Sequence, residues 1–200
     1  MNYLAHIYLS GNHDDLKIGN FIADFIKPKD VHQLPFNQQK GVELHQKIDR
    51  FTDTHLEVRK VRELFFDEFR HYSAVLVDVI FDHYLARNWN FYHSVELPEY
   101  AQLFYSLLEN QKNQLPNQVQ RIIPYLIDGD WLSNYAHLQG LEMILKQMNN
   151  RTKNTTSLHV SISTLKTHDS FIAQQFQVFF AELIAYCNQE IQQMNLTQVN

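Results

Sequence analysis

The chain has 200 residues, 44% of them apolar, and its 17 Lys and Arg against 22 Asp and Glu give a formal net charge of −5. This composition is globular rather than disordered or fibrous and points to one domain over 1–200; an acidic balance with no long basic run argues against nucleic-acid binding as the main role. The single cysteine, Cys187, excludes an internal disulfide framework, and the lack of an eighteen-residue apolar run or a signal-like leader makes a cytoplasmic protein without a membrane span the expectation.

Residues 2–10 carry Leu4, Ile7 and Tyr8 on a helical stripe beside His6, and Gly11-Asn12 offers a stop; the segment is short enough that a strand also fits. Asp14 or Asp15 is a candidate cap for a second helix through Phe25 or Ile26, which Lys27-Pro28 ends. Inside it, Gly19 costs stability relative to Ala and so points to close packing or close approach of a ligand. Asp24 sits among Phe21, Ile22, Phe25 and Ile26, where a carboxylate needs a partner. After a connection with Pro28 and Pro35, a helix is predicted from Phe36 or Asn37 to about Thr54. Another runs over 56–70 on the stripe Val58, Val61, Leu64, Phe65 and Phe69. A third, with Ser73 as its candidate cap, runs to Asn88 or Trp89. Pro98 suits the first turn of a helix through Asn113, Pro116 suits another, and Pro124 is expected to break it. Residues 125–129 and 130–148 read as one interrupted helix or two short ones, and 149–156 as a polar loop. The last helix starts at Leu158 or His168 and ends at Met194, leaving 195–200 to fray. With no sustained period-two alternation, the fold class is all-α: a helical bundle of about seven to nine helices.

Chemistry concentrates in the first half, since residues 1–100 hold 8 of the 11 His and 15 of the 22 acidic residues. His45, Asp49 and Asp53 recur every four residues in one predicted helix. Asp78 and Asp82 do so in another, with His83 adjacent. Buried charges in such apolar surroundings need partners, and a cation is one. Two packed helices bearing these pairs make a bundle metal site of O and N ligands, suited to Mn²⁺, Mg²⁺ or Fe²⁺. Plainer readings stand beside this one. His45 and Asp49 would form a hydrogen bond on a solvated face, and His6 would be a partnered core histidine. Asp53 reads as a ligand or, preferably, as a helix cap. Arg59 and Arg62, like Lys47 and Arg50, fit phosphate contacts or ordinary ion pairs with Glu57, Glu63, Asp67 or Glu68. Cys187, on a phenylalanine-rich face, reads as inert. There is no nucleophilic triad and no glycine-rich phosphate loop.

Five blocks resemble the acyl carrier protein phosphodiesterase family in order and spacing over about the first 90 residues. They are Asn2-Tyr3-Leu4-Ala5-His6, Gly19-Asn20-Phe21-Ile22-Ala23-Asp24-Phe25, Gly41-Val42-Glu43-Leu44-His45 through Asp49 to Asp53, Val58-Arg59 with Arg62, and Asp78-Val79-Ile80-Phe81-Asp82-His83. The resemblance implies an all-α, HD-like relative of metal phosphohydrolases. Such an enzyme uses a divalent metal, typically Mn²⁺, to hydrolyse the phosphodiester joining 4′-phosphopantetheine to a serine of holo-acyl carrier protein. It places Asp24 at the active site, Asp82-His83 as the HD pair, His45 as a third ligand and His6 as another candidate. Asp49 and Asp78 would act as proton acceptors or orient ligands, and Arg59 or Arg62 would meet phosphate or the acidic partner. Docking an acidic carrier protein onto an acidic chain calls for a local basic patch; Lys27 with Lys29, or Lys47, Arg50, Arg59, Lys60 and Arg62, are the clusters on offer. The competing readings are a non-catalytic helical module that binds the carrier protein or another partner, and a related metallohydrolase of a small phosphoester.

Overall fold

The computed structural model describes residues 1–149 and 157–196; the rest of the expected polar loop (150–156) and the end of the expected frayed tail (197–200) lie outside the described residues. Within them the chain is all-α. Its helices are α1 (Tyr3–Tyr8), α2 (Asp14–Ile22), α3 (Phe36–Thr54), α4 (Leu56–Phe69), α5 (Tyr72–Arg87), α6 (Leu97–Gln111), α7 (Asn117–Asp128), α8 (Trp131–Asn134), α9 (Leu138–Asn149), α10 (Ser161–Thr167) and α11 (Asp169–Gln193), with five short 3-10 segments between them. The count exceeds nine because α1, α8 and α10 are only 6, 4 and 7 residues long. No helix among the described residues is long and apolar enough to cross a membrane.

α5 is the axis of the molecule. Leu76, Val77, Val79, Ile80, Phe81, Tyr84 and Leu85 are all fully buried, so apolar residues on most faces of the helix are packed against neighbours. α4 and α11 cover it, and α1 and α9 contact it as well. Phe81 and Tyr84 meet Phe176 and Phe179 of α11 in an aromatic cluster with ring centroids 5.3–5.8 Å apart.

α2 lies along α3, and two glycines set how closely. A Cβ at Gly19 would collide with the Gln38 carbonyl, and one at Gly41 with the Leu16 carbonyl and the Gly19 Cα. The close-packing alternative for Gly19 is therefore the observed one, and it brings the two backbones into direct contact.

Several boundary expectations shift. His13, His71 and Pro116 precede α2, α5 and α7 without a side-chain cap. Ser73 is instead one residue inside α5, its Oγ donating to the Arg70 carbonyl at 2.6 Å. Asp53 remains within α3, and His55 caps α4 by accepting from the Glu57 N–H at 3.2 Å. Pro124 does not break α7: its ring is on the exposed face, while Val119, Ile123 and Leu126 anchor the opposite face in the core. A lost backbone hydrogen bond on the wet side is made good by water, and burial holds the helix together across it.

α1 is too short to persist alone. It is held by Asp82 of α5, whose Oδ1 accepts from the Asn2 N–H at 3.0 Å and whose Oδ2 accepts from Leu4 and Ala5 at 2.7 and 3.4 Å. The orphan donors of one helix end are thus met by a carboxylate from another helix.

Candidate active site

Four predicted residues converge: His6 from α1, Asp24 from the 3-10 turn after α2, and His45 and Asp49 one turn apart on α3. His45 Nε2 lies 3.1 Å from Asp49 Oδ2 and 3.4 Å from Asp24 Oδ1. His6 Nε2 lies 3.3 Å from Asp49 Oδ1. The two imidazoles stack face to face, with centroids 4.0 Å apart. Both histidines are buried. Asp24 is not, contrary to its apolar neighbours in sequence: α2 gives way to a 3-10 turn at Ala23–Phe25 that turns the carboxylate outward, leaving its side chain 58% exposed.

Asn20 organises the pair. Its side-chain Nδ2 donates to the His6 carbonyl at 2.9 Å and to Ser10 Oγ at 3.0 Å, which fixes the amide orientation. Its Oδ1 then faces His6 Nδ1 at 2.7 Å, and its backbone oxygen faces His45 Nδ1 at 2.9 Å. Both Nδ1 atoms meet oxygen acceptors and must carry protons, so in the neutral rings both Nε2 atoms present lone pairs. In the sequence Asn20 stands out only as part of the block over residues 19–25. Its signal was a solitary amide inside Ile18-Gly19-Asn20-Phe21-Ile22, which once buried must find partners.

Burial opposes charge on both rings. For His6 it prevails, reinforced by the positive charge on His45, and the pKa falls to about 4 despite the hydrogen bond with Asp49. For His45 the bonds to Asp24 and Asp49 outweigh burial and lift it to about 9. The bond from His45 holds Asp24 below its usual value. Asp49 is pushed up by burial but pulled well below the carboxylate range by His45 and His6.

Asp24, His45 and Asp49 line an open cleft of about 380 Å³, with Asp53, Asp78, Thr52 and the residues at the start of α1; His6, in contact with Asp49 and His45, is not itself among the lining residues. The Met1 amine donates to Asp78 Oδ1 at 2.8 Å. Burial raises Asp78, and the amine works against that shift. Thr52 Oγ1 is buried without a partner among the described residues.

Asp82 and His83, expected beside Asp24 and His45, are directed elsewhere. Both Asp82 oxygens are taken by the α1 backbone; burial pushes its pKa up to about 7 against the pull of the N-terminal amine and those N–H groups. His83 Nδ1 donates to the Tyr135 carbonyl at 2.6 Å, and its Nε2 has no partner among the described residues. Successive positions on a helix splay by about 100°, and here that sends the pair to opposite neighbours. Neither Arg59 nor Arg62 lines the cleft: Arg59 is exposed, and Arg62 Nε donates to Ser73 Oγ at 3.2 Å.

The donor set suits a divalent cation. One atom from each of His6, His45 and Asp49 can be chosen so that all lie within 4.8 Å of one another. Two Nε2 lone pairs facing carboxylate oxygens at 3.1–3.4 Å repel unless a positive charge sits between them, and a proton on His45 or a metal ion meets that need. N/O ligation without thiolate matches Mn²⁺, Mg²⁺ or Fe²⁺. A cleft with four carboxylates would also repel a phosphodiester unless a cation were present.

The family model described as acyl carrier protein phosphodiesterase matches residues 1–183. Curated relatives carrying that name include proteins from Pectobacterium atrosepticum (32% identical; 90% of this chain, 92% of the relative), Yersinia pestis (29%; 92% and 96%) and Salmonella agona (30%; 92% and 96%). No solved structure is a significant match.

Proposed function

The chain belongs to the acyl carrier protein phosphodiesterase family, and from that premise we propose that it hydrolyses the phosphodiester between 4′-phosphopantetheine and the serine of holo-acyl carrier protein, with His6, His45 and Asp49 holding a divalent cation, Mn²⁺ first among candidates, and Asp24 beside them. The observation that carries this is the convergence of two imidazole Nε2 atoms on Asp49, which with His45 lines an open carboxylate cleft. Asp82 and His83 are left out of the ligand set because their partners lie elsewhere.

A cation there supplies positive charge against the phosphoryl oxygens and makes an attacking water more acidic. The rest is done by side chains. Asp49 spans both imidazoles and fixes their spacing. Asn20 holds both Nδ1 protons, so that Nε2 is the available donor on each ring. Asp24 is the exposed, ionised carboxylate nearest the cluster and accepts the proton of the attacking water. The water oxygen bonds to phosphorus, the bond from phosphorus to the serine oxygen breaks, and that oxygen takes up a proton. The products are the apo-protein and free 4′-phosphopantetheine.

Mass spectrometry of holo-acyl carrier protein incubated with this protein and Mn²⁺ tests the reading, beside Asp24→Ala and EDTA controls. The expected result is loss of the 4′-phosphopantetheine mass in the untreated wild-type sample alone. No loss with any divalent metal, together with a tight complex, would favour a binding module. No loss and no complex would favour a small phosphoester.

A further inference from the structure

A second, smaller cavity lies beside the candidate cleft. Asn2, Tyr3 and Met148 line both. Beyond them the small cavity is bounded by Trp131 at the start of α8, Tyr135 just after it, and Ile144 and Gln147 of α9. Its volume is about 70 Å³; on a scale where one water needs about 10–15 Å³, it takes a group of roughly five to seven heavy atoms. The walls are mostly apolar, and Tyr3 is braced from behind by Phe21 and Phe25 at 5.4 and 6.2 Å.

Tyr135 is only 2% exposed; its backbone N–H donates to the Ser133 carbonyl and its carbonyl accepts from His83, while its hydroxyl makes no hydrogen bond among the described residues. An apolar slot with an available phenol and a glutamine amide in its lining fits a ligand of like build, a short branched hydrocarbon carrying a hydroxyl group.

We propose that this slot binds the first segment of the pantetheine arm, the dimethylated and hydroxylated carbons next to the phosphate. The inference rests on the phosphodiesterase reading, which places that phosphate over His6, His45 and Asp49. The segment is then the part of the substrate nearest the shared wall of Asn2, Tyr3 and Met148. The slot distinguishes a pantetheine phosphodiester from others that fit the open cleft equally well. Because the arm stays on the phosphoryl product, occupancy also makes the slot a site of product inhibition.

The test pairs two readouts. Pantetheine, lacking phosphate, is titrated into ¹³C-methyl-labelled protein while the Ile144 and Met148 methyls are followed, and arm release from holo-acyl carrier protein is measured separately. Wild type should show saturable shifts at both methyls. Tyr135→Phe, which keeps the ring and removes the hydroxyl, should weaken pantetheine binding and lower kcat/KM by the same threefold to tenfold. Ile144→Trp, which fills the slot, should abolish the Met148 shift and lower kcat/KM at least tenfold; if that variant does not fold, Tyr135→Phe decides. No saturable shift in wild type overturns the slot assignment, even if the carrier protein is hydrolysed. So does a Tyr135→Phe protein with unchanged binding and kcat/KM. Saturable shifts without hydrolysis overturn the phosphodiesterase reading and uphold the slot's ligand class.

Discussion

Asn20 shows how much of a site can hang on a residue that performs no chemistry. With its side chain removed, His6 loses its Nδ1 acceptor, and the His6 carbonyl and Ser10 lose a donor. Asn20→Leu is expected to lower Mn²⁺ affinity about 10–100-fold and stability by about 1–3 kcal/mol, read by calorimetry and by chemical denaturation. Unchanged affinity would mean that the imidazoles are oriented by α1 and α3 alone. The same cluster sets a pH profile. In metal-free protein the raised pKa of His45 means that its pairing with Asp24 and Asp49 stabilises fully below about 6.5 and is lost as pH rises through about 9. His6 acts on the other flank: its pKa is depressed from 6.5 to about 4, so stability falls as pH drops across that window. Thermal unfolding in EDTA should therefore peak near neutrality, and His45→Gln should flatten the alkaline limb. Cation binding displaces the His45 proton, so Mn²⁺ affinity should climb about tenfold per pH unit between about 7 and 9. His45 and Asp49 were legible in the sequence as an i, i+4 pair. Asn20 was not, because a single buried amide has no period to betray it.

Helices were the most legible level. α3, α4 and α5 fall within a residue or two of expectation, because long apolar stripes and flanking prolines fix them. What sequence could not supply was the direction of side chains between helices. Adjacent Asp82 and His83 invite a common role, yet the first holds α1 and the second faces Tyr135. The cap on α1 makes a prediction of its own. Both Asp82 oxygens accept N–H donors, so Asp82→Asn must place an amide NH₂ against one of them. It should cost about 1–3 kcal/mol and weaken Mn²⁺ binding through misplacement of His6, although both Asp82 oxygens are taken up by the α1 backbone. Stability lost with affinity intact would detach α1 from the metal site. Gly41→Ala drives a methyl into the α2 backbone. Overpacking of this kind costs about 1–3 kcal/mol, and it should separate Asn20 from His45, so that melting temperature and metal affinity fall together.

At the scale of the molecule, an acidic enzyme is asked to receive an acidic protein. The two basic clusters seen in sequence are not equally available. Lys47 is tied to Glu43 and Glu190 at 2.9 and 2.7 Å, and Lys60 to Glu57 at 2.8 Å. Lys27, Lys29, Arg50 and Arg59 are exposed and form no ion pair among the described residues. Reversing the charge of these four should raise KM for holo-acyl carrier protein at least tenfold while leaving kcat within about twofold, and wild-type kcat/KM should fall as salt rises. Unchanged KM would remove the basic patch from the account. The carboxylate that fastens α1 also has a consequence for the order of events during synthesis. His6 is made among the first residues, but the group that anchors its helix is Asp82, in α5. A nascent chain therefore carries the helix of its earliest candidate ligand without that anchor until the fifth helix has left the ribosome. The candidate centre closes only after its other parts exist, so a truncated product ending before residue 82 would have His45, Asp49 and Asn20 but not the carboxylate that anchors the helix carrying His6.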